Sequence, residues 1–104
     1  DPHGFEWLDC NDREQSILSY IRKDAEEYVI SLFNFTPIVR ESYRIGVPEL
    51  ASYQIIMNSD SEFYGGSNVE NQASFEAEAV PWSDKPYSIV LNLPPLAGLV
   101  LKKV

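Results

Sequence analysis

A chain of 104 residues makes one domain, able to bury roughly two-thirds of its unfolded surface in a single core. With 44% hydrophobic and 12% aromatic residues it is too apolar for a disordered segment. Sixteen acidic residues against eight basic ones leave a net charge of −8, which works against nucleic acid and anionic membrane as partners, since both draw on clustered Lys and Arg.

Along the chain, Asp1-Pro2-His3-Gly4 reads as linker from a longer protein. The single cysteine, Cys10, cannot close an internal disulfide. In Gln15–Arg22 the residues Ile17, Leu18 and Ile21 fit a helical face, while Ile17, Ser19 and Ile21 fit a strand; the strand is favoured. Turn signals then recur every ten to fifteen residues, at 23–26, 36–37, 46–48, 58–61, 65–68, 80–81 and 94–95, a spacing that suits short strands.

Between these signals the runs are rich in β-formers. From Tyr28 to Phe33 both faces are apolar, as in a central strand. Tyr43, Ile45 and Val47 share one face, with Arg44 and Gly46 on the other, and Tyr53, Ile55 and Met57 repeat the half-buried pattern. The acidic stretch from Ala73 to Val80, around Phe75, reads as an edge. Tyr87, Ile89, Leu91 and Leu93 alternate most cleanly. Proline cannot donate to a ladder, so Pro94-Pro95 lies between that strand and Leu99–Lys103. The expectation is an all-β fold, an antiparallel sandwich.

Chemistry is sparse. The only histidine, His3, stands in a terminal segment that cannot hold a general base in place. The carboxylate pairs Asp9/Asp12, Glu26/Glu27, Asp60/Glu62 and Glu76/Glu78 fall in polar segments without the apolar setting that raises a pKa. Asn58–Glu62 spaces oxygens like a calcium loop, but Phe63 and Val69 stand where glycine and glutamate are needed, so no metal is expected. Asn34-Phe35-Thr36 matches a glycosylation acceptor and is read as coincidence. Gly65-Gly66-Ser67 lacks the lysine of a phosphate loop and reads as a tight turn. Trp7, Tyr64 and Trp82 lie beside turn signals, where they suit either packing on a neighbouring domain or stacking against a flat ligand such as a sugar.

Several segments, taken in order, resemble the carboxy-terminal region of bacterial 1,4-α-glucan (glycogen) branching enzymes. They are Gly4–Asp9, Ser16–Lys23, Asn34-Phe35-Thr36-Pro37, Tyr43–Pro48, Tyr64–Asn68, Pro81-Trp82 and Leu93-Pro94-Pro95-Leu96. The resemblance covers nearly the whole chain. It departs at Ser83-Asp84-Lys85, where the family often has His-Gly, and at Gln72-Ala73-Ser74, where a glycine-rich stretch is expected.

The resemblance implies a Greek-key-like sandwich of the α-amylase C-terminal type over residues 13–104, with residues 1–12 as linker from a catalytic (β/α)8 barrel. The catalytic carboxylates of such an enzyme belong to the barrel, so no catalytic residue carries over to this chain. The parent would cut an α-1,4 glucan and rejoin it through an α-1,6 bond, in the cytoplasm, without cofactor or metal. Phe5 and Trp7 are the residues expected at the barrel interface. The alternative expectation is an α-glucan-binding surface formed by Tyr64 and Trp82.

Overall fold

The computed structural model describes residues 5–9, 17–24, 26–59 and 74–104, with the backbone alone for 5–9 and 24. Among these residues eight strands follow one another: β1 (Phe5–Asp9), β2 (Ile17–Asp24), β3 (Glu27–Asn34), β4 (Arg40–Val47), β5 (Ser52–Asn58), β6 (Ser74–Glu76), β7 (Tyr87–Leu93) and β8 (Ala97–Lys103). Six form one sheet in the order β1-β2-β3-β8-β5-β6, and β4 pairs with β7 in a second. Every pairing is antiparallel. Of the segment Gln15–Arg22 the described part, from Ile17 on, is strand, β3 lies inside the larger sheet, and β6 is an edge. Phe5–Asp9, within the stretch read as linker, pairs with β2 along the opposite edge.

Alternation explains which side chains meet. In β2, Ile17, Ser19 and Ile21 stand opposite Asn34, Leu32 and Ile30 of β3, and the last two stand opposite Leu99 and Leu101 of β8. Tyr53 of β5 and Phe75 of β6 continue this row, and all of them are buried. Against it pack Ile45 and Val47 from β4 and Ile89, Leu91 and Leu93 from β7. Fully burying a side chain of this size contributes about 1.5–3 kcal/mol, so the two-sheet core is the main stabilising term. Pro94-Pro95 carries the chain from the small sheet back to the large one, where β8 enters between β3 and β5.

Two details depart from the sequence reading. Ile55 stands opposite Leu101 and Met57 opposite Val100, leaving Ile56 as the extra residue of a β-bulge. The bulge moves Met57 to the other face, where it is 52% exposed. Gly46-Val47, read as a turn, lie within β4, and the turn begins only at Pro48.

Asn34 ties one end of the sandwich together. Its side-chain amide donates to the Ile38 carbonyl at 2.8 Å and the Pro94 carbonyl at 3.0 Å. Its Oδ1 accepts from the Thr36 backbone N–H at 3.0 Å and the Thr36 hydroxyl at 2.7 Å. Both amide hydrogens of the formal glycosylation acceptor are thereby committed inside the fold.

Candidate functional site

The connection from β6 to β7 builds the most structured surface feature around Trp82. Glu78 exchanges two backbone hydrogen bonds with Ser88, which joins the end of the large sheet to the small one. Trp82 and Lys85 then exchange two more, at 3.0 and 2.9 Å. Ser83 and Asp84 between them take φ of 50° and 63°. Positive φ at both central residues, closed by that hydrogen-bond pair, is a type I′ hairpin turn, usually made by Asn-Gly. No glycine marks it here.

This turn lies on the outer face of the small sheet. Because Ile45 and Val47 point into the core, Gly46 presents its α-carbon outward, and a Cβ there would stand 2.1 Å from the Trp82 carbonyl oxygen. Glycine is required by that close approach. On the same face Arg44 donates from Nη1 to Glu78 Oε1 at 3.1 Å and to Ser88 Oγ at 2.6 Å. Trp82 is 46% exposed. An indole held on a fixed turn, on the same sheet face as a charged hydrogen-bonding pair, can stack on a flat, polar ligand. It supplies no nucleophile.

The remaining expected residues are placed unequally. Tyr64 lies outside the described residues. Phe5 and Trp7 occupy β1, opposite Arg22 and Tyr20 respectively, and their side chains lie outside the description. The register that sets Trp7 opposite Tyr20 continues into a row of rings. Tyr20 stacks on Phe33 with centroids 6.1 Å apart, and Phe33 on Phe35 at 6.0 Å. Gly98 admits this row, since a Cβ there would meet the Phe33 ring at 2.8 Å. These rings belong to the outer face of the large sheet. The spacing of Phe33 and Phe35, on the face opposite Ile30 and Leu32, was the signal available for them in the sequence.

At the other end of the sheet a polar cluster clamps β3, β5 and β8. The Tyr28 and Tyr53 hydroxyls lie 2.8 Å apart, Tyr53 donates to the Glu49 carbonyl at 3.2 Å, and Lys103 pairs with the Glu49 carboxylate at 2.8 Å. Burial first, then their mutual hydrogen bond, pushes the Tyr28 hydroxyl well above its ordinary value. Burial likewise raises Tyr53. The hydrogen bond from Lys103 lowers Glu49, and the same bond raises Lys103. Tyrosines held neutral and a carboxylate held ionised suit a clamp rather than proton transfer.

The architecture defines an all-β domain of two antiparallel sheets, with a presented aromatic surface rather than a catalytic cleft among the described residues. Residues 7–104 match the family described as alpha amylase, C-terminal all-beta domain, and the chain belongs to that family. It is 52% identical over 99 residues to the 1,4-alpha-glucan branching enzyme GlgB of Cellvibrio japonicus, covering 95% of this chain and 13% of that enzyme. The enzymes of the same name from Hydrogenovibrio crunogenus and Paramagnetospirillum magneticum are 52% and 49% identical, over 103 and 105 residues. In both cases the alignment covers 99% of this chain and 14% of the relative, so the chain spans about one-seventh of the length of these relatives.

Proposed function

We propose that this chain is the non-catalytic carboxy-terminal domain of a cytoplasmic 1,4-α-glucan branching enzyme, and that it packs on the catalytic barrel and stabilises it. One observation carries the reading. Relatives 45–52% identical over nearly the whole chain are branching enzymes, and the chain matches only 13–14% of their length. The reaction, transfer of an α-1,4-linked glucan segment to an α-1,6 branch point, belongs on this reading to the preceding part of the polypeptide. No cofactor or metal enters the role assigned to these residues. Phe5 and Trp7 serve as contacts because β1 is the edge strand nearest to the preceding polypeptide. The test is to make the barrel portion separately and add this chain in excess. Saturating a site at one hundred times its dissociation constant stabilises the bound state by about 2.7 kcal/mol, so the barrel's melting temperature should rise. An unchanged melting temperature refutes docking.

Trp82 supports a second reading, in which it and Tyr64 hold an α-glucan chain on the surface. The observation in its favour is the exposed indole on a turn held in a strained backbone conformation, on the face that carries Arg44 and Glu78. Replacing Trp82 and Tyr64 by Ala should then reduce retention in a glycogen-containing native gel while the circular dichroism spectrum stays unchanged. Equal retention removes this reading.

A further inference from the structure

From the loops at the Asn34 end of the sandwich we infer a specific docking surface, made by Phe35, Ile38 and Leu96 and continued by the Phe33 ring, for the preceding part of the same polypeptide. The inference rests on the packing role proposed above and assigns it a face that Phe5 and Trp7 alone do not define.

Three observations carry it. The first is exposure: Phe35 is 60%, Ile38 57% and Leu96 70% accessible, three large apolar side chains in two neighbouring loops. Apolar residues scattered singly on a surface need no account, but a cluster of them does. The second is backbone conformation. Leu96 sits at φ 50°, a left-handed conformation that glycine adopts freely and leucine does not. In this chain the side chain it carries is mostly in solvent, so the strain brings no packing in return. Contact with something outside the chain would supply that return.

The third observation is rigidity. Asn34 bonds the Ile38 and Pro94 carbonyls together, and the Leu96 N–H donates to the Thr36 carbonyl at 2.9 Å. The two loops therefore present one fixed apolar tip, with little ordering cost left for binding. The tip runs into the stacked row Phe35–Phe33–Tyr20, which ends in the register at Trp7 of β1. The strip thus connects the tip to the strand closest to the preceding polypeptide. About six-sevenths of the length of the matched branching enzymes lies outside this chain, which makes that polypeptide the occupant of choice.

The experiment is hydroxyl-radical footprinting of the full-length polypeptide, read residue by residue by mass spectrometry and corrected for intrinsic reactivity. Phe35, Ile38 and Leu96 should react roughly tenfold more slowly than their exposure in this chain implies, close to buried Leu99 and Leu101, because the centre of a docked patch excludes water. Trp82, on another face, serves as the exposed reference. If Phe5 and Trp7 are protected while the tip reacts freely, the surface is wrong and the packing role stands. Free reaction of all five residues refutes both. Protection that disappears on dilution to the monomer makes a second copy the occupant and overturns the inference.

Discussion

Removing the Asn34 side chain should destabilise the domain far more than its polar character suggests. In Asn34→Ala the Pro94 carbonyl, in a fully buried residue, loses its donor, and the Ile38 carbonyl keeps only the Thr36 hydroxyl at 3.2 Å. The Thr36 N–H loses its acceptor as well. A buried polar group left unpaired costs about 1–3 kcal/mol, and the two partly solvated groups cost less, so the total is about 2–4 kcal/mol. For a domain of this size each kilocalorie shifts the midpoint by about 4–8 °C, which predicts a fall of about 8–32 °C. Asn34→Asp provides the sharper comparison. At neutral pH it removes both donors and sets a carboxylate against two carbonyl oxygens, so it should be less stable than Asn34→Ala. Protonation restores one donor, so the folded-state pKa of that carboxyl must lie above its unfolded value. The penalty is therefore smallest below the unfolded value and grows as pH rises through the folded one. Urea denaturation of the three proteins at pH 7 and at about pH 4 measures this. A loss below about 1 kcal/mol in Asn34→Ala, or an Asp variant no worse than Ala at pH 7, would refute the argument.

Gly46→Ala should cost roughly 1–3 kcal/mol or more, because its Cβ would overlap the Trp82 carbonyl; unchanged stability and an unmoved Trp82 indole resonance would contradict this. Asp84→Gly should stabilise by about 0.5–1 kcal/mol by relieving the positive φ, whereas Asp84→Ala should bring no gain, as urea midpoints will show. Since the Tyr28 and Tyr53 hydroxyls are raised above 10.0 in the folded state, their contribution is complete below that pH and is lost as pH climbs beyond it. These two tyrosines should ionise only together with unfolding, seen as coincident absorbance and circular dichroism transitions; full ionisation of all six tyrosines with the sheet intact would exclude the clamp. Lys103→Ala should let the Glu49 carboxyl rise back towards 4.5, followed by NMR titration.

How much of this was legible depended on whether a residue's role was local. Ile30, Leu32, Ile89, Leu91 and Leu93 declared themselves by alternation, because a period of two needs no knowledge of the partner strand. The described part of Gln15–Arg22, from Ile17 on, resolved as strand once Ile17, Ser19 and Ile21 could all face the core. Met57 could not be read, since Ile55-Ile56-Met57 is apolar throughout and the bulge that turns Met57 outward is fixed by pairing with β8. The Trp82 turn was hidden for a different reason: Ser83-Asp84 lacks the glycine that usually announces positive φ. Phe33 and Phe35 were legible as apolar but not as a ring stack, which needs Gly98 from the far end of the chain. Asn34, read as a coincidental motif, does its work through carbonyls at Ile38 and Pro94.

The position of β8 has a consequence for how this domain comes into being. The last of the eight described strands in chain order, β8, occupies a middle place in the six-stranded sheet, hydrogen-bonded to β3 on one side and β5 on the other. Until it emerges from the ribosome, β5 and β6 have no sheet to join, and the inner edge of β3 stays open. Hairpin β2-β3 can form early, but closure of the large sheet waits for β8. Loop closure over such separations is slow, and an open strand edge invites pairing with other chains meanwhile. The large sheet should therefore close only after all of this domain has left the ribosome, and the yield of native protein should respond to chaperones that shield strand edges more than to changes in the finished core.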